Sequence, residues 1–233
     1  MRLHLPPVYP ITDKALAGKP SHLSILRELV RGGACLVQVR DKQTPVRELL
    51  QDLLHCVEFS EKHGVQLIVD DRCDLALSCG ARGVHLGQED LPPDAARKIL
   101  GSKKVIGYST HSIKQVKQSR SLPIDYLGFG PVYATSTKPN PSPVVGLTGL
   151  RRACRESARP VVAIGGIGLE QICEVLEAGA ASAAVISALM SASNLARRME
   201  EFLKKAKVKE QTSSSTGRSR ERDPARHGNS GES

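Results

Sequence analysis

The chain has 233 residues, 40% of them hydrophobic but only 3% aromatic, with no Trp and a formal net charge of +9. That supplies one aliphatic, Ala-rich core, and no run of about 18 apolar residues is present to cross a membrane. Met1 to Asp13 lacks an apolar stretch long enough for a signal peptide, and the six cysteines form no C-x-x-C pair; a cytoplasmic protein with reduced, structural thiols is expected.

In chain order, Val8 to Thr12 reads as a first strand, and Ser21 as the N-cap of a helix that runs to about Val30 and stops at Gly32-Gly33. Cys35 to Val39 is a second strand. The next helix begins at Pro45, a favoured first-turn residue, and reaches Lys62 before Gly64, an expected left-handed cap. A third strand ends at Asp70 and precedes a short helix from Asp74 to Ser78. A fourth ends near Leu86, and Pro92-Pro93 open a helix to Leu100. Val105 to Tyr108 is followed by a helix from Ile113 to Arg120, and Tyr126 to Phe129, across a long loop, by one from Leu147 to about Ser157. Val161 to Ile164 pairs with a helix from Leu169 to Ala178, and Ala183 to Ile186 with a last helix from about Asn194 to Lys205. Continuous apolar runs of this length suit strands buried on both faces of a parallel sheet. Eight such units with right-handed crossovers predict a single α/β domain over residues 1–206, a (β/α)8 TIM barrel.

Residues 207–233 are rich in Ser, Arg and Gly, cannot bury enough surface to offset their ordering entropy, and are expected to be disordered. From Lys204 to Ser233 there are eight Lys/Arg against four acids, which is +4 of the net +9. A basic tail can touch RNA or acidic surfaces weakly, but a solvated extension without a specific nucleic-acid partner is the favoured reading.

Almost every strand ends abruptly in charge, hydroxyl or glycine, and in a barrel those ends meet on one rim. Asp71 and Asp90 fall just past strands three and four. Two carboxylates from neighbouring strand ends offer hard oxygen ligands to Mg2+, which prefers one or two carboxylates plus phosphate oxygens and water. Taken singly, each is equally a helix cap or a solvated acid. Arg40 and Lys42 after strand two and Lys138 after strand six shift the reading toward a diphosphate bridged by metal. Gly165-Gly166 and Ile186-Ser187 place backbone N–H groups at the ends of strands seven and eight, where many barrels hold a phosphate. A tight turn without a ligand would use the same glycines. A metal–diphosphate site beside a monophosphate site reads as a two-substrate transferase.

The segments Tyr9-Pro-Ile-Thr-Asp13, Gln38-Val-Arg-Asp-Lys42, Asp70-Asp-Arg-Cys-Asp-Leu-Ala76 and Gly83-Val-His-Leu-Gly-Gln-Glu-Asp-Leu-Pro92 are followed by Gly107-Tyr-Ser-Thr-His111, Gly128-Phe-Gly-Pro-Val-Tyr-Ala-Thr-Ser-Thr-Lys-Pro139, Ala163-Ile-Gly-Gly-Ile167 and Val185-Ile-Ser187. In this order and spacing, through about Pro10 to Lys205, the chain resembles the thiamine-phosphate synthase family, which couples a hydroxymethylpyrimidine diphosphate to a thiazole phosphate and releases pyrophosphate. The resemblance implies that the stretch Gln38, Val39, Arg40, Asp41 and Lys42, with Asp70, Ser109 and Lys138, holds the pyrimidine diphosphate. Arg40, Lys42, Ser109 and Lys138 are then the catalytic residues, and Asp71 and Asp90 carry Mg2+. Thr135, Ser136, Thr137, Gly166, Ile186 and Ser187 hold the thiazole phosphate. No nucleophile or general base is implied; catalysis is electrostatic and positional.

Two positions depart from the family pattern: Asp70 stands where Asn is usual, and Asp41 where Glu is usual. Asp70 adds negative charge beside the diphosphate and is accommodated by a metal-linked role, the favoured reading, or by pairing with Arg72 or another basic rim residue. Two alternatives remain open. A thiazole tautomerase-like isomerase would use His111 for proton transfer but would not need Asp71, Asp90, Arg40 and Lys138 together. A non-catalytic phosphate-binding barrel would rely on the basic tail. Oligomeric state is not legible.

Overall fold

A computed structural model describes residues 3–135 and 142–215. Eight strands, β1 (Val8–Pro10), β2 (Leu36–Val39), β3 (Gln66–Asp70), β4 (Gly83–Leu86), β5 (Val105–Thr110), β6 (Tyr126–Phe129), β7 (Val161–Ile164) and β8 (Ser182–Val185), pair in parallel in the order β1-β8-β7-β6-β5-β4-β3-β2. A parallel bridge between Ile11 and Gln38, with the Thr12 amide donating to the Gln38 carbonyl at 2.9 Å, brings β1 back beside β2 and closes the ring. The expected (β/α)8 barrel is the observed architecture.

The helices α1 (Lys14–Ala17), α2 (His22–Arg31), α3 (Val46–Lys62), α4 (Cys73–Ser78), α5 (Pro93–Leu100), α6 (Ile113–Gln118), α7 (Gly146–Glu156), α8 (Ile172–Glu177), α9 (Ser187–Met190) and α10 (Leu195–Ser215) surround it. Ser21 caps α2 by accepting the Ser24 amide at 3.2 Å, a contact worth about 1 kcal/mol. Sequence reading misses α1 and α9, because four residues carry no apolar period. It also ends α10 near Lys205, whereas the helical backbone runs to Ser215, at first through Lys207, Lys209, Glu210 and Gln211, which are good helix formers. The remaining tail, 216–233, and the expected site residues Ser136, Thr137 and Lys138 lie outside the described residues. Among the described residues no helix is long and apolar enough to cross a membrane.

Strand alternation divides the core in two. Val8, Val37, Val39, Val69, Val84, Ile106 and Ala163 point outward and pack against the helices, each Val or Ile contributing roughly 1.5–3 kcal/mol of burial. Tyr9, Ile11, Leu36, Ile68, Val105, Tyr126, Val162 and Ala184 point inward and form a separate cluster inside the barrel. Gly107 on β5 is inward as well, and a Cβ there would collide with the Tyr126 ring and His85. Its missing side chain is what lets two polar rings share the barrel interior. All six cysteines are unpaired, three of them fully buried, as expected of structural thiols.

Candidate active site

Arg40 and Lys42 lie on the arm that leaves β2 for α3. The Arg40 side chain is only 15% exposed; its Nε is 3.6 Å from Asp70 Oδ2 and its Nη1 is 3.9 Å from Asp13 Oδ2. That Nε is buried and has no hydrogen-bond partner among the described residues. A buried donor left unmade costs about 1–3 kcal/mol, and an incoming anion oxygen would recover it. Arg72, one partner considered for Asp70, is engaged instead with Asp74, from Nη2 at 2.5 Å and Nε at 2.9 Å. Arg40 is the basic rim residue that Asp70 faces.

The backbone turns sharply after β3. Asp71 has φ +61°, the only non-glycine residue in the left-handed region among those described. Such a conformation costs of order 1–3 kcal/mol and is retained where its surroundings over-determine it. Here the Asp71 amide donates to the His85 carbonyl at 2.8 Å, and its carboxylate meets Lys42 Nζ at 2.5 Å. Asp90 accepts the Gly87 amide at 2.6 Å and shares a hydrogen bond with Asp71. Burial raises both carboxyls, but Lys42 and the bond to Asp90 hold Asp71 below the usual range. Asp90 is pushed above it by burial and by Asp71. Burial opposes the Lys42 ammonium, yet Asp71 beside it lifts its pKa above the ordinary value. Two adjacent carboxylates whose charges oppose each other suit a divalent cation between them. The all-oxygen donor set fits a hard ion such as Mg2+. Among the described residues no group of three or more His, Cys, Asp or Glu could hold an ion unaided, so ligand oxygens and water would complete its shell.

Below this rim a polar chain crosses the barrel. Gln38 Nε2 donates to Tyr9 Oη at 3.3 Å, and the Tyr9 and Tyr126 hydroxyls are 3.1 Å apart. Tyr126 Oη is 3.0 Å from His85 Nδ1, and His85 Nε2 is 2.9 Å from Ser109 Oγ. Burial pushes both tyrosines far above their usual pKa, so they remain donors. Run in one direction, each group accepts from the one before it, and the Ser109 hydroxyl is left to donate into the cavity above. These residues, with Arg40, Asp70 and Asp71, line a cavity of about 40 Å³.

A second cavity of about 190 Å³ adjoins it and shares Ser109, Ile164, Ala184 and Ile186. Its far side carries Thr135, Gly165, Gly166 and Ser187. Gly166 has φ +65°, and a Cβ there would meet the Ala134 carbonyl and Tyr133, so glycine is required by conformation and by space. The segment before Thr135 is fixed by the Val132 and Tyr133 amides, which donate to the Ile164 and Gly165 carbonyls at 2.9 and 3.0 Å, and by Tyr133 Oη, which donates to Glu174 at 2.5 Å. His111 Nδ1 donates to the Gly130 carbonyl at 2.7 Å, which holds the ring at the wall of this cavity.

Gln38, Arg40, Asp70, Asp71 and Ser109 thus converge on one cavity, and Thr135, Gly166, Ile186 and Ser187 on the other, with Lys42 and Asp90 on the rim between β2 and β4. Two residues expected to bind substrate do not face either cavity. Val39 alternates outward into the helix-facing core at 2% exposure. The Asp41 carboxylate is 5% exposed and is turned away by Lys14, Thr44 and His22. Sequence reading missed Tyr9, His85 and Tyr126 as site residues. Its available signal was a lone His inside Gly83-Val-His-Leu86, an inward position of an otherwise apolar strand.

A family model described as thiamine monophosphate synthase matches residues 8–189. A thiamine-phosphate synthase of Albidiferax ferrireducens is 43% identical over 192 residues, covering 82% of this chain and 88% of that one. Thiamine-phosphate synthase 1 of Aquifex aeolicus is 38% identical over 199 residues, 85% and 92% of the two chains. The solved thiamine phosphate pyrophosphorylase of Pyrococcus furiosus superposes with a TM-score of 0.79 at 36% identity, covering 86% of this chain and 95% of that one. A tryptophan synthase α-subunit from the same organism, with a TM-score of 0.65 at 16% identity over 84% and 97% of the two chains, shares the fold alone.

Proposed function

The chain belongs to the thiamine monophosphate synthase family, and from that premise we propose that it is a transferase joining a hydroxymethylpyrimidine diphosphate to a thiazole phosphate, with release of pyrophosphate. The observation that carries the reading is a pair of adjoining cavities with a shared wall. One holds the Arg40 Nε, which has no hydrogen-bond partner among the described residues, beside two carboxylates, and the other ends in a glycine turn.

In this reading the diphosphate lies against Arg40 and Lys42. Asp71 and Asp90 would hold Mg2+, which when bound adds positive charge against the leaving diphosphate. Arg40 donates its unused Nε–H to a diphosphate oxygen, and Lys42 shifts from Asp71 toward the same charge. Lys138, whose expected role is to complete this cation set, lies on the segment between β6 and α7. As the diphosphate departs, the electron-rich aminopyrimidine spreads positive charge from the methylene carbon, and the thiazole nitrogen attacks that carbon. Ser109, primed by the polar chain beneath it, donates at the junction of the two cavities. Ile164 and Ile186 on the shared wall exclude water, which would otherwise capture the cation. The Gly165–Gly166 turn, Thr135 and Ser187 receive the thiazole phosphate. No side chain needs to move a proton for the bond to form, so His111 is spare in this reaction, and the isomerase alternative rests on that residue alone.

The test is direct. The purified full chain, given both substrates and Mg2+, should form thiamine phosphate and pyrophosphate in equal amounts. Failure to form either product would overturn the assignment.

A further inference from the structure

Behind the arm that carries Arg40 and Lys42, on the side away from the cavities, lies a buried polar cluster that the reaction does not use. Thr12 Oγ1, at the end of β1, accepts the Arg40 amide at 3.3 Å and is 2.8 Å from His22 Nδ1. His22 Nε2 is 3.0 Å from Asp41 Oδ2. That carboxylate also takes the Gln43 and Thr44 amides at 2.9 Å each, the Thr44 hydroxyl at 2.7 Å and Lys14 Nζ at 2.9 Å. From the far side, Asp52 on α3 accepts the His22 and Leu23 amides at 2.6 and 3.2 Å, fixing the start of α2 against α3.

Burial opposes the charged form of the His22 ring. In the neutral ring the Thr12 hydroxyl, which accepts the Arg40 amide, donates to Nδ1, and Nε2 carries the proton given to Asp41, so both nitrogens are used. Through Thr12 and Asp41 the cluster holds residues 40–44, whose two cationic side chains face Asp70 and Asp71 on the other side.

We propose that His22 and Asp41 are positioning residues that set the aim of Arg40 and Lys42, and so the affinity of the arm for the diphosphate, without touching substrate. This rests on the reading of that cavity as the diphosphate site. It explains why an acid between two substrate-facing cations is itself turned inward: its negative charge holds the arm from behind rather than competing with the ligand.

The experiment uses the full chain with inorganic pyrophosphate and Mg2+ as one calorimetric probe and thiazole phosphate as the other. His22→Leu removes both ring contacts and is expected to weaken pyrophosphate binding about tenfold, the scale of coupling within one hydrogen-bond network, while thiazole phosphate affinity stays within about twofold. His22→Gln offers one acceptor and one donor and should restore most of the loss. A folded His22→Leu with unchanged pyrophosphate affinity, or with equal loss for both ligands, overturns the proposal. Should His22→Leu fail to fold, Lys14→Met on the same carboxylate reads the same comparison, with the same two outcomes. If the unaltered chain binds no pyrophosphate, the diphosphate reading is what fails. The clamp is then judged from amide hydrogen exchange at residues 40–44, where faster exchange in the variant sustains it and an unchanged rate overturns it.

Discussion

At Asp71 the chain accepts a left-handed backbone so that two carboxylates can meet, and the charge arrangement around them fixes what each substitution should do. Asp71→Asn keeps a residue that tolerates this conformation and removes one charge; Asp90→Asn removes the other. Each should lower turnover by about two orders of magnitude or more, because losing a bound divalent cation removes several kcal/mol of leaving-group stabilisation. A chelator should produce the same loss in the unaltered chain, and thiazole phosphate binding should be unmoved in all three cases. Near-normal rates in either variant without added Mg2+ would release that residue from the metal. Asp70 is a separate question. Its carboxylate faces Arg40 Nε at 3.6 Å, the atom an incoming diphosphate would claim. This supplies a rim partner other than Arg72, and if the diphosphate binds Arg40 as proposed, Asp70 competes with it. Asp70→Asn should therefore lower the KM for pyrimidine diphosphate several-fold, an effect of about 1 kcal/mol for one partly exposed charge, and leave the Mg2+ requirement unchanged. A raised Mg2+ requirement would instead assign Asp70 to the metal. The acids and cations were legible in sequence because each follows a strand end, and strand ends in a barrel share a rim. Tyr9, His85 and Tyr126 were not, because none lies at the strand end that meets the rim, and the Tyr9–Tyr126 contact joins residues 117 apart that meet only once the barrel closes.

Among the elements, the β7–α8 connection does the most with the fewest side chains. Gly165 and Gly166 both have positive φ, and the strand of loop that precedes Thr135 packs directly over them. Gly166→Ala forces a Cβ against the Ala134 carbonyl and adds about 1–2 kcal/mol of left-handed strain. The expected result is a KM for thiazole phosphate raised at least about tenfold, with pyrophosphate binding preserved because Arg40 and Asp71 stand across the cavity. Equal losses for both ligands in calorimetry would show that the turn is structural rather than a phosphate cup. Eight strands and the eight longer helices were readable because each spans at least one full period of burial. The short α1 and α9 carry no such period: α1 is closed by Asp13, which accepts the Leu16 amide at 3.0 Å, and by left-handed Gly18, and α9 by the burial of Leu189 and Met190. The outward turn of Val39 follows from simple alternation with Gln38 and Arg40. The inward turn of Asp41 does not, because it depends on Lys14, His22 and Thr44, brought from two other elements and the arm itself.

For the whole molecule, the same buried groups that shape the site shape the pH range over which it stays folded. His22 has its pKa lowered from 6.5, chiefly by burial, against the opposing pull of Asp41 and Asp52 and with Lys14 adding to the depression. A depressed histidine takes up a proton in the unfolded chain before it does in the folded one. Its contribution to stability is thus complete above about pH 6.5 and is lost as pH falls from there toward the folded pKa. Asp41 is held far below its ordinary 3.8, despite burial, by Thr44, Gln43 and Lys14, so its contribution is present above that value and disappears only in more acidic solution. Asp90 runs the other way. Its raised pKa means that ionisation above the normal carboxyl range works against folding, a stability cost concentrated where the metal reading needs charge. Thermal unfolding followed in steps from pH 7.5 to pH 4.5 should show the midpoint of the unaltered chain falling as pH drops below about 6.5. His22→Gln, which cannot take up the proton, should flatten that fall. Asp90→Asn should raise the midpoint at neutral pH while lowering turnover. Should the His22→Gln profile keep the full slope between pH 6.5 and 5, the acid sensitivity of the barrel would belong to other histidines, and the neutral His22 ring would have to be abandoned as its source.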